Sequence, residues 1–159
     1  MNNKKFTMRY AEEKDIPTIL RFIKELAAYE SLEHELNLTE ESLKENIFDK
    51  KKAEVIIAFE DDVPVGHAVF FETFSTFVGR HGLFLDDLYV NEKYRGFGYG
   101  KQLFKKVASI ALERNCGRFE WWCLDWNKSS IEFYLSTGAK MVKDARIYRL
   151  TNEALKKFL

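Results

Sequence analysis

The sequence predicts an α/β fold, a single domain over residues 1–159 in which strands and helices intermix, and three observations predict it. First, the 159 residues are 46% hydrophobic and 15% aromatic with only two prolines and eight glycines, ample for one packed core and sparse for linkers. Second, the apolar pattern switches repeatedly between the two-residue alternation of strands and the wider spacing of helices. Third, no internal repeat or low-complexity stretch divides those segments. A globule of this size buries roughly 68–70% of the surface of its unfolded chain, so it needs neither disulfides nor a structural metal.

Phe6 to Tyr10 alternates as a short strand. Asp15, Ile16 and Pro17 then supply a cap-like residue with proline in the first turn of a helix. Ile16, Ile19, Leu20, Ile23 and Leu26 form its apolar face, and Tyr29 to Leu38 reads as a loop. Thr39 followed by Glu40 and Glu41 starts a second helix, with acids at the positive end of the dipole and Leu43 and Ile47 on its apolar side. Val55 to Phe59, a turn at Glu60-Asp61-Asp62, and Val65 to Phe71 make a hairpin. Leu83 to Val90 is a further strand carrying Asp86 and Asp87 in its middle. A glycine-rich segment, Arg95-Gly96-Phe97-Gly98-Tyr99-Gly100, leads into an amphipathic helix that ends near Asn115 and Gly117. Phe119 to Leu124 reads as a strand, Ser129 to Thr137 as a short helix closed by Gly138, and Ile147 to Leu150 as a last strand.

Basic and acidic residues balance at 25 each, with no long block of either sign, which argues against a nucleic-acid or membrane-surface partner and for a small molecule. Cys116 and Cys123 have no CxxC spacing and read as reduced, half-buried thiols. Met1-Asn2-Asn3-Lys4-Lys5 leads into no apolar secretion segment, and no apolar run approaches the ~20 residues that span a bilayer. A cytoplasmic protein is expected. His34, His67 and His81 show no metal-ligand spacing, so no metal is expected.

Three glycines spaced by single residues at a helix start expose main-chain N–H groups beside the positive end of a dipole, an arrangement that favours phosphate. A dinucleotide fingerprint would need glycine where Lys101 stands. A triphosphate loop would need glycine at Arg95 and Ser or Thr at Gln102.

What remains is Arg-x-x-Gly-x-Gly after an acid-bearing strand, and here the sequence resembles the GNAT superfamily of acetyl-CoA-dependent N-acetyltransferases. Leu20 to Glu30, Leu38-Thr39-Glu40, Tyr94 to Gly100, Asp125-Trp126-Asn127 and Phe133-Tyr134 are similar to its spermidine/spermine (diamine) branch, which includes thialysine acetyltransferases. The resemblance spans roughly residues 6 to 150. It implies a mixed, mostly antiparallel sheet of six to seven strands flanked by about four helices. It also implies a homodimer, acetyl-CoA as co-substrate, and a primary amine as acceptor. By the same resemblance the main chain of Leu88, Tyr89 and Val90, with Arg95, Gly96, Phe97, Gly98, Tyr99, Gly100 and Lys101, holds the pantetheine arm and pyrophosphate. Asn127 and Ser130 complete that set. Tyr29 and Glu30, with Asp86 and Asp87, face the amine.

Acetyl transfer needs a neutral nitrogen, and a primary amine of pKa ~10.4 holds its proton by about 3 units at neutral pH. Asp86 stands where the branch commonly has a glutamate base, and its shorter side chain calls for a bridging water. Neighbours on a strand point to opposite faces, so Asp86 and Asp87 enter one pocket only if a bulge intervenes. Alternatively, the pair caps a turn or meets a Lys or Arg. The departing thiolate benefits from a proton donor, and Tyr134, in helical register with Ser130 and Asn127, is the candidate by resemblance. Phe70, Phe71, Phe74 and Phe77 fit either a channel for methylene chains or the hairpin core. The motifs divide on the acceptor: Asp125-Trp126-Asn127 resembles thialysine-type members and Phe97 polyamine-type members, and small polyamines rank first. A non-catalytic acyl-CoA or polyamine sensor on the same fold is the rival.

Overall fold

The computed structural model describes residues 4–159; Met1, Asn2 and Asn3, cited above for the N-terminal pattern, lie outside them. Five strands and five helices are formed among the described residues, in place of six to seven strands and about four helices. Two compact units arise, one ending at Trp122 and the other running Cys123–Leu159.

The first unit holds one sheet in the order β1-β2-β3-β4-β5. Strands β1 (Phe6–Tyr10), β2 (Glu54–Glu60), β3 (Val63–Ser75) and β4 (Arg80–Val90) are successively antiparallel. Strand β5 (Phe119–Trp121) runs parallel to β4 and is shorter than its sequence pattern. The β2–β3 turn is made by Asp61 and Asp62, both with positive φ, the form whose twist matches that of the strands it joins.

Helix α1 (Ile16–Glu30) starts with Pro17 in its first turn, as its sequence predicts. Asp15 does not cap it: its carboxylate accepts from the Glu12 N–H at 2.8 Å and pairs with Arg9 at 2.6 Å. Tyr29 and Glu30, predicted in a loop, are the last helical residues before Ser31 turns left-handed. Ile16, Ile19 and Phe22 pack with Val55, Ile57, Val69 and Tyr89 to form the core on this face of the sheet. Thr39 caps α2 (Glu40–Leu43), whose winding loosens through Lys44–Asp49. Helix α3 (Tyr99–Glu113) buries Leu103, Phe104, Val107 and Ile110. Of the four hairpin phenylalanines, Phe70 is core, Phe71 is half-buried, and Phe74 and Phe77 stand exposed.

The second unit contains α4 (Lys128–Ser136) and α5 (Asn152–Phe158). The last predicted strand is absent: Ile147, Tyr148 and Leu150 are exposed in irregular chain. Alternation makes a strand only where a partner offers a ladder, and this unit contains no strand. Arg146 turns instead to the carbonyls of Lys143 and Ala145, holding the chain in a bend.

Candidate active site

The glycine loop presents bare main-chain donors at the start of α3. Gly96 and Gly98 have φ of 86° and 81°, a conformation glycine adopts without strain, and no atom lies within 4 Å of where a Cβ would stand on either. Gly98 is the N-cap of α3 and offers no side-chain cap, so the first N–H groups of the helix are left for a ligand. Arg95 and Tyr99, predicted to touch the cofactor, have structural work as well. The Arg95 Nε donates to the Val90 carbonyl at 2.9 Å, and its guanidinium lies over the rings of Tyr29 (4.9 Å) and Tyr89 (5.6 Å). The Tyr99 hydroxyl donates to Glu60, which also pairs with Lys4, and the Tyr99 ring stacks on Phe6 at 4.4 Å. Phe97 is exposed, with the Lys4 ammonium 5.8 Å from its ring centre.

Beside this loop the sheet opens. Strand β5 pairs with β4 only from Leu83 to Leu85. Asn91 donates to Val65 on the β3 side, and strand alternation therefore turns the main-chain groups of Leu88 and Val90 away from β3. Those groups face the side where β5 has ended, with the Val90 carbonyl already accepting from Arg95. An extended chain with amide groups, such as a pantetheine arm, fits along such an edge by adding to the ladder.

The parting coincides with a bulge. Phe70 opposes Leu85 and Val69 opposes Asp87, leaving Asp86 as the extra residue. Alternation turns Asp86 to the face opposite Leu85, and the register shift turns Asp87, opposite Val69 of the α1-side core, to that same face. The condition for the two acids to share a site is thus met. Glu30, at the end of α1, adds a third carboxylate close enough to act on Asp87. Burial, then the charges of Asp86 and Glu30, push the Asp87 carboxyl up to about 7. Burial also raises Glu30 and Asp86, the latter crowded although it reaches solvent. The described ion pairs give Asp87 only the buried ring of His67, at 3.8 Å, and give Asp86 none.

Three supporting residues escaped sequence reasoning. Glu25 accepts from the Tyr89 hydroxyl (2.8 Å) and the Asn91 amide (2.9 Å), fixing the end of β4, and Glu60 anchors Tyr99. His67 is fully buried beneath Asp87. Its only sequence signal was a polar residue inside the apolar run of β3.

In the second unit Asn127 is the N-cap of α4, its side-chain oxygen accepting from the Ser130 N–H at 3.3 Å. Tyr134 lies within α4 with its ring 5.3 Å from that of Phe133. A separate surface cavity of about 500 Å³ is lined by Tyr10, Phe48, Phe71 and Arg114, among others, and includes none of the predicted site residues. Among the described residues no group of three or more His, Cys, Asp or Glu is arranged to hold a metal, and no helix is long and apolar enough to cross a membrane.

An enzyme that moves an acyl group from a phosphate-bearing thioester to an amine has two requirements: main-chain donors for the carrier and carboxylates for the ammonium. Bare main-chain donors at the start of α3 and a cluster of carboxylates on β4 and α1 both occur in the first unit, the features an enzyme of that class would use. The chain belongs to the acetyltransferase (GNAT) family, whose sequence profile matches residues 19–139. Its similarities lie in the spermidine/spermine and thialysine branch. It is 35% identical to the thialysine N-ε-acetyltransferase of Sus scrofa over 94% of each chain. It is 34% identical to the human spermidine/spermine N(1)-acetyltransferase-like protein 1, over 84% of this chain and 20% of that protein. Among solved structures, an integron cassette protein from the mobile metagenome of V. cholerae superposes with a TM-score of 0.79 at 27% identity, covering 96% of both chains.

Proposed function

We propose that this single domain transfers the acetyl group of acetyl-CoA to a primary amine of a small diamine or polyamine by direct attack. The observation that carries this reading is the shared face of Glu30, Asp86 and Asp87 beside the open edge of β4. Three acids with no described lysine or arginine in an ion pair with Asp86 or Asp87 suit a ligand that brings its own positive charges.

Acetyl-CoA, when bound, supplies an activated thioester carbonyl. The N–H groups of Gly98 to Lys101 hold its phosphates, and the outward main chain of Leu88 and Val90 aligns its arm. Asp86 and Glu30 draw in the ammonium. Asp87, poised near neutral, accepts its proton directly or through a water, because a base works best when its proton affinity matches the ambient pH. Asp86, which stands at the position of the base by resemblance, orders the water through which that proton passes. In the second unit, Tyr134 is the acid assigned to the departing thiolate, and Asn127 and Ser130 take part in cofactor binding.

A second reading, acetylation of an amino-acid amine such as thialysine, is favoured by the 35% identity to the porcine enzyme along nearly its whole length. A carboxylate on the acceptor would meet the repulsion of the three acids. Thiol release from acetyl-CoA with putrescine, spermidine, lysine and thialysine, ranked by kcat/KM, decides between the two. Absence of release with every amine, while CoA still binds, replaces both with the sensor.

A further inference from the structure

His67 lies in the middle of β3, opposite Tyr89 in register, and is fully buried with neither ring nitrogen hydrogen-bonded. A buried polar group without a partner destabilises the fold, so a ring of this shape without nitrogen would serve the core better. Phe22 of α1 packs edge to face against it at 5.3 Å, an apolar neighbour that offers nothing to either nitrogen. Tyr89, beside it on β4, has its hydroxyl committed to Glu25. The nearest charged group is Asp87, whose Oδ2 stands 3.8 Å from Nε2. That gap is about 1 Å longer than a hydrogen bond, within reach of a small turn of ring or carboxyl.

We propose that His67 is a positioning residue for Asp87, its neutral ring donating Nε2–H to the carboxylate from within the core whenever Asp87 is ionised. Burial holds the imidazole neutral, lowering its proton affinity to about 3, so it acts as a dipole and not as a counter-charge. The charged groups that act on Asp87 from the surrounding elements are Asp86 on its own strand and Glu30 on α1, and both oppose its ionisation. His67 is then the one described neighbour that favours the charged form, and it aims the carboxylate at the acceptor site. This inference rests on the reading of Asp87 as proton acceptor.

The test combines carbon-13 carboxyl titration of Asp87 in the ligand-free protein with the pH profile of kcat/KM. His67→Phe keeps the shape and removes the donor; the midpoint of Asp87 moves up by about one pH unit, tenfold in proton affinity. The acid limb of kcat/KM moves with it, lowering the rate about tenfold well below the original midpoint. His67→Gln, which restores an N–H donor, brings the midpoint back. In the unmodified protein, the nitrogen-15 shift of the His67 ring follows the Asp87 titration, and that response vanishes in Asp87→Asn. A ring signal indifferent to that titration, or an unmoved midpoint in a folded His67→Phe protein, overturns the inference. If Asp87→Asn keeps the acid limb, the reading of Asp87 falls and this inference with it. If Asp87→Asn loses the limb and His67→Phe leaves the midpoint in place, the inference alone is overturned.

Discussion

Tyr99, the first residue of α3, donates its hydroxyl to Glu60, the last residue of β2. The start of the glycine-loop helix is thereby tied to the hairpin, and Phe6 stacked on the same ring ties it to β1. The bond pushes the proton affinity of the phenol further up, to about 12, by Glu60 first and burial second.

Removing that hydroxyl leaves the Glu60 carboxylate short of a donor. Tyr99→Phe is expected to lower the thermal midpoint by about 2–4 °C, the effect of one lost hydrogen bond in a chain of this size. The same variant weakens CoA binding several-fold in calorimetry, because the loop is less well held. Unchanged CoA affinity would show that the anchor serves stability alone.

Gly98 supplies both the left-handed turn and the bare approach to the helix end. Alanine there adopts φ of 81° at a cost of about 1 kcal/mol or more and crowds a ligand phosphate. Gly98→Ala is expected to reduce CoA affinity at least tenfold while the apo protein loses about 1 kcal/mol of stability, as read by calorimetry and denaturant unfolding.

Asp87 makes stability depend on pH in a direction opposite to that of a salt-bridged acid. Its folded-state value of about 7 lies above the usual 3.8, so the native state binds the extra proton between those limits. Its contribution is complete below about pH 4 and is lost as pH rises through 7. Asp87→Asn is therefore more stable than the parent at pH 8, by up to a few kcal/mol, with the difference closing near pH 4. Urea unfolding at the two pH values measures it. His67 slopes the other way: held neutral to about pH 3, it withdraws stability as pH falls from its ordinary 6.5.

Tyr134→Phe separates chemistry from binding. Loss of a general acid is expected to lower kcat about 10²-fold with the CoA dissociation constant unchanged. Full turnover in the variant would remove the role.

Much of this architecture is written locally. The apolar stripe of α1, Pro17 in its first turn and the glycine loop each depend on residues a few positions apart, and each is found where its pattern lies. Features set between strands are not. Whether Asp86 and Asp87 share a face depends on the register of β3 against β4, which no window of β4 alone contains. His67 becomes notable only when Tyr89, Phe22 and Asp87 surround it. The alternation at Ile147 to Leu150 is the converse, a strand-like pattern in a unit with no strand beside it.

Because the edge of β4 that faces the parted β5 offers main-chain amides, the contacts available to an incoming arm are common to every amino acid except proline. Side chains at Leu88 and Val90 can drift through generations without touching that grip. Tolerance of substitution along this edge is thus a property of the backbone, in contrast to Gly98, where the left-handed turn makes the residue itself the constraint.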